Sequence, residues 1–141
     1  TEEIRDYLKD LKDLSALPIV NLTGISNTDL KLAYGTANIT VLTEYDSHYT
    51  NMVTILQKLA QCLVDHNEKE LAAKVLEFAV STGTDVSRTY YLLAALYQEN
   101  GQKTRIRELI TAASSLNTIM KASIVQKLES ILASTSSQEQ L

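Results

Sequence analysis

The sequence repeats itself at one fixed spacing. Leu59 and Ala60 recur as Leu93 and Ala94, Lys69 as Lys103, Ala79 as Ala113, Ser81 as Ser115 and Thr84 as Thr118. Apolar character repeats with these identities: Leu56 with Tyr90, Leu63 with Tyr97, Ala72 with Ile106 and Leu76 with Ile110. The two copies stay in register without a gap. A fixed period of this length, with helical spacing inside each copy, points to stacked helical hairpins, because one hairpin cannot bury its apolar face alone. The reading is all-α, and it moves the question of function from catalysis towards surfaces.

The period organises the 141-residue chain as one domain. Residues 1–17 form an N-terminal helix: Ile4, Leu8, Leu11 and Leu14 share a stripe with Tyr7 beside it, acidic and basic residues cover the other side, and Pro18 stops the helix. Residues 18–43 read as an irregular segment, with a short helix expected over Asp29–Tyr34 and strand-like alternation over Asn38–Leu42. A long helix is expected from Asp46 to Asp65. Repeat one covers 53–86 and repeat two 87–120. Asn67, with Glu70 three residues on, resembles a capping box opening the second helix of the first hairpin. Gly83 is placed to end that helix in the left-handed conformation, Asp85 or Ser87 to cap the next, and Asn100-Gly101 to turn the second hairpin. A capping helix at 121–133, starting near Thr118, and a frayed tail at 134–141 complete the plan.

Each copy places a large apolar residue, then Leu-Ala, then another large residue on its first helix, and a large aliphatic followed by Ala on its second. This pattern resembles the tetratricopeptide repeat over residues 53–120. The matching positions are Leu56, Leu59, Ala60, Leu63, Ala72, Leu76 and Ala79, then Tyr90, Leu93, Ala94, Tyr97, Gly101, Ile106, Ile110 and Ala113. The first large position has no Trp, Ile106 stands where the family prefers Ala, and Thr84 and Thr118 stand where it often has Pro. Two repeats fall short of the three such an array usually needs, so the N-terminal helix and the 18–43 segment are expected to supply a further layer. The resemblance implies a groove lined by the first helix of each hairpin, holding an extended peptide. Gln57, Gln61, Arg88, Tyr91 and Gln98 are the candidate partner-binding residues, with Thr54, Asp65, Ala95 and Glu99 on the same side. The Lys and Asn residues that grip a carboxylate in some members are absent, with Gln57 and Gln61 in their place.

Charge and residue usage narrow the chemistry. A net charge of −4 and a pI near 5.1 argue against a nucleic-acid backbone as partner. His48 and His66 are the two histidines, and Cys62 is the single cysteine. Two and one are too few for a zinc site in any one region. His48 and Asp46, two apart on a helix, do not face each other. Cys62 lies on the apolar side of its helix, where a thiol behaves as a small hydrophobe. No phosphate-binding glycine loop or nucleophile elbow is present. No catalytic residue, metal or cofactor is therefore expected.

The expected function is a non-catalytic interaction or scaffold domain that binds a protein or peptide, with no nucleic-acid partner and no direct membrane insertion. The alternative is structural self-association as a homodimer, through residues 2–15 or the last helix, in a membrane-anchored bacterial protein. A third, a binder or enzyme built in residues 16–43, would need a deep apolar pocket there. The chain begins with Thr rather than Met, so a processed fragment is expected. This leaves both the cytoplasm and the outer side of a bacterial membrane, behind an upstream anchor, open.

Overall fold

The computed structural model describes residues 2–15 and 36–135. They fold into α1 (Glu2–Ser15), α2 (Thr36–Asp65), α3 (Lys69–Ser81), α4 (Ser87–Glu99), α5 (Lys103–Ser114) and α6 (Lys121–Ala133), with no strand among the described residues. The all-helical architecture agrees with the sequence reading.

The sequence period extends to the backbone. α2 ends at Asp65 and α4 at Glu99; α3 begins at Lys69 and α5 at Lys103; α4 runs Ser87–Glu99 and α6 Lys121–Ala133. The turns repeat as well. Asn67 and Gly101 both take left-handed geometry, with φ of 61° and 64°. Asn67 N–H donates to the Val64 carbonyl and Glu68 N–H to that of Leu63, at 2.9 and 2.8 Å. Gly101 and Gln102 make the same two bonds to Gln98 and Tyr97, at 3.1 and 3.0 Å. This is the Schellman closure, which satisfies carbonyls that a helix end leaves free.

Asn67 is therefore not the cap that opens α3. Its amide is used in closing α2, and Glu68 holds the N-cap position with no side-chain cap bond. Asn is among the few side chains that tolerate positive φ, which is why a residue typical of N-caps can serve as a helix stop. Gly83, at φ 80°, ends α3 as expected. Neither Asp85 nor Ser87 caps α4; Val86 stands at its N-cap. The Thr84 hydroxyl accepts from the Val86 amide at 3.2 Å, and that of Thr118 accepts from the Met120 amide at the same distance. Both threonines make the turn before a helix rather than joining it, so α6 starts at Lys121 and not at Thr118.

Two further expectations are corrected near the ends. Helix α2 starts at Thr36, well before Asp46, so 36–43 is neither irregular nor strand-like. Its Thr, Val, Ile and Asn residues are weak helix formers on their own, but extending an established helix costs far less than starting one. The remainder of the 18–43 segment, including the helix expected over Asp29–Tyr34, lies outside the described residues. So do tail residues 136–141. Ser134 and Thr135, expected to fray, are still tied to the end of α6: Thr135 is buried, and its hydroxyl donates to the Ile131 carbonyl at 2.6 Å.

The helices pack in chain order, α1 on α2, α2 on α3, and so on to α5 on α6, while α4 also touches α2 and α6. Ala60, Ala72, Ala79, Ala94 and Ala113 have no exposed surface. Small side chains at these positions let neighbouring backbones approach, and Tyr90, Leu76, Leu93 and Ile106, also fully buried, fill the space around them. The Tyr90 hydroxyl donates to the Thr84 carbonyl at 2.6 Å, tying α4 to the turn that leads into it. α1 docks through Ile4, Tyr7 and Leu11. Leu8, expected on that stripe, is 53% exposed. Ile4, Tyr7 and Leu11 follow the i, i+3, i+7 spacing, and Leu8 lies about 100° further around the helix than Tyr7. The side chain of Leu14 lies outside those described.

A candidate cleft between three helices

Because α2 and α4 occupy equivalent places in the repeat, the residues that face outwards from one have counterparts on the other. Gln57 and Lys58 of α2 correspond to Tyr91 and Leu92 of α4, one period on. These positions gather at an open cleft of about 550 Å³. α1 contributes Glu3 and Tyr7; α2 contributes Gln57, Lys58, Gln61, Cys62 and Asp65; α4 contributes Arg88, Tyr91 and Leu92.

Four of the five candidate residues, Gln57, Gln61, Arg88 and Tyr91, therefore share one cleft, and Asp65 joins them. Gln98 does not line it. Its amide donates to the Ser134 hydroxyl at 3.0 Å, linking α4 to the end of α6. Thr54, Ala95 and Glu99 also lie outside the lining, and Glu99 forms an ion pair with Lys69 at 3.2 Å. Glu3 and Tyr7 escaped the sequence reading. The period locates α2 and α4 relative to each other, but α1 stands outside the repeat and nothing in its own pattern says which helix it covers.

The polar groups of the cleft divide into engaged acids and unengaged bases. Glu3 accepts from the Tyr7 hydroxyl through Oε1 and from the Cys62 thiol through Oε2, both at 3.4 Å. Asp65 accepts from Gln61 Nε2 at 3.1 Å. Lys58 and Arg88, in contrast, form no ion pair among the described residues. Tyr91 is half-buried, and its hydroxyl points to the Ser123 carbonyl of α6 at 3.5 Å.

Cys62 is held as a thiol. Burial pushes its pKa up, and the bond to Glu3 and that carboxylate's charge add to the effect. Burial, then Glu3, likewise raises the Tyr7 hydroxyl. His66 stands one helical turn from Cys62, but its Nδ1 lies 2.8 Å from the Cys62 carbonyl and 3.8 Å from the sulfur. A carbonyl can only accept, so Nδ1 carries the proton and cannot take one from the thiol. With its Nδ1 proton directed at the carbonyl, His66 is not arranged here as a base for the thiol.

A second polar cluster lies on the side of α3 and α5. The Tyr97 hydroxyl donates to Glu77 Oε2 at 2.8 Å, and Arg105 reaches the same oxygen at 3.3 Å. Burial, then the bond to Glu77, holds the Tyr97 hydroxyl well above the usual phenol range. This cluster ties three successive helices together. Among the described residues, no three His, Cys, Asp or Glu side chains converge as metal ligands, and no helix is long and apolar enough to cross a membrane. Compared with protein-family models, curated proteins and solved structures, the chain matches none.

Proposed function

We propose that this chain is a non-catalytic interaction domain, a short tetratricopeptide-like array that captures an extended segment of a partner protein in the cleft between α1, α2 and α4. The observation that carries this reading is the convergence of Gln57, Gln61, Arg88 and Tyr91 on that cleft, together with Lys58, which forms no ion pair among the described residues. The recurrence of helix ends and turns at the period of the sequence supports the array. In this array α1 takes the place of a second helix preceding α2, packing on α2 as α3 packs on α4.

The lining suits a peptide. Glutamine amides both donate and accept, matching a backbone that presents alternating carbonyl and amide groups. Tyr91 offers a flat apolar face with a polar edge, and Arg88 offers a planar donor fork; both side-chain types are enriched where binding energy concentrates. The walls are formed helices, so little backbone ordering accompanies binding.

The test is selection from a displayed random-peptide library. Peptides enriched on the wild type are then titrated against the Arg88→Ala, Tyr91→Ala double variant and against Gln98→Ala. A tenfold or greater loss for the double variant, with Gln98→Ala near wild type and both melting normally, supports the cleft. Equal binding by the double variant refutes it.

A further inference from the structure

Away from that cleft, the turn before α6 carries the most exposed large apolar side chain described: Ile119 is 95% exposed, and Met120 beside it is 37% exposed. Ile119 borders a second depression, of about 540 Å³, that continues along α6 over Lys121, Ala122, Val125 and Glu129. The equivalent turn of the first repeat has Asp85 where this one has Ile119. Solvating the turn is thus no reason for an isoleucine here.

Lys127 lies on another face of α6, but along the ridge through Val125 the charges are antisymmetric. Lys121 lies four residues before it and Glu129 four after. Neither forms an ion pair within the chain among the described residues. Residues 121, 125 and 129 form an i±4 ridge, the kind that interdigitates when two helices cross at about −50°. Set against an antiparallel copy related by a two-fold axis beside Val125, each Lys121 meets the partner copy's Glu129, and Ala122 lets the backbones approach. Each Ile119 then lies over the far end of the other copy's α6. A ridge that becomes its own electrostatic complement on reversal is what an isologous contact needs, and an unrelated partner would place no such condition on it.

We propose that this face of α6 is a homodimer contact, formed by a second copy of the chain crossing antiparallel at Val125. The contact is a single helix pair, so the dimer is weak and dissociates on dilution. It does not depend on the cleft between α1, α2 and α4, and neither proposal needs the other.

Sedimentation equilibrium of the full chain over a wide concentration range tests it, with circular dichroism confirming the fold of each variant. The wild type follows a monomer–dimer equilibrium, and Val125→Arg is monomeric. Lys121→Glu and Glu129→Lys each replace two attractive pairs with two repulsive ones and weaken self-association roughly tenfold or more. Mixed together, the two single variants form a heterodimer in which both pairs are again of opposite charge. The Lys121→Glu, Glu129→Lys double variant recovers homodimerisation. Any of three results overturns the proposal: a wild type monomeric at every concentration, single variants that associate like the wild type, or a mixture no tighter than its components.

Discussion

Thr89 offers a sharp test of the packing because its expected sign is unusual: a hydroxyl is removed from the centre of the protein and stability rises. Thr89 lies in the first turn of α4 with no exposed surface, and its Oγ1 has no hydrogen-bond partner among the described residues. In the unfolded chain that hydroxyl is solvated, so folding strips its water without replacement, a cost of about 1–3 kcal/mol. Valine has nearly the same shape and stiffness, and the two differ little in helix propensity. Thr89→Val should therefore stabilise by about 1 kcal/mol, raising Tm by roughly 3–5 °C for a domain of this size. Thr89→Ser keeps the hydroxyl and deletes the methyl, so it should lose about 1 kcal/mol through lost burial and a small cavity. Urea titration of the three proteins, at a common m-value, measures both steps. If Thr89→Val is less stable than wild type while Thr89→Ser is not, the hydroxyl has a partner and the reasoning fails.

Ala94→Leu should overpack the contact of α4 with its neighbours and cost roughly 1–3 kcal/mol, measured by urea titration; a neutral result would mean that the helices do not approach closely there. Stability should also fall at high pH. Burial pushes Tyr90 up to about 12, with smaller contributions from Tyr49 and Asp85, so the unfolded chain releases the proton first. The Tyr90 contribution is whole below the unfolded value near 10 and is lost as pH rises through about 12. A plot of unfolding free energy against pH for Tyr90→Phe should start about 1 kcal/mol lower, for the lost bond to Thr84, and decline less steeply above pH ~10. Parallel curves would refute the assignment.

Much of the fold was legible because one signal, the period, is independent of propensity. It located α3, α4 and α5 closely and put all the repeat alanines inside. Where the signal ends, legibility ends with it. Residues 36–43 read as irregular because Thr, Val, Ile and Asn are poor helix formers, and a helix continued from its downstream half leaves no mark in such a segment. Asn67 misled for a related reason: the same side chain suits a helix start and a left-handed stop, and the choice depends on whether its amide is needed by the preceding helix. For the cleft, the facing residues of α2 and α4 followed from the period, whereas the α1 wall did not. Docking of an amphipathic helix through Ile4, Tyr7 and Leu11 fixes which of its own faces is buried but not what it is buried against.

The period also clarifies α6, which repeats α4 in length and position but not in surface. On α4, Thr89, Leu93 and Leu96 are buried, whereas their counterparts one period later, Ser123, Lys127 and Ser130, are exposed. On the adjoining face the repeat holds, since Ile124 and Leu128 are as deeply buried as Tyr90 and Ala94. The large-then-small order of Tyr90 and Ala94 becomes two residues of similar size, filling comparable space with no need for a small contact point. α6 thus packs its buried face on α4 and α5 and leaves Ser123, Lys127 and Ser130 to solvent. Packing a further helix on these three positions would desolvate Lys127 and two hydroxyls for little apolar gain, so polarity there keeps this face of α6 in water.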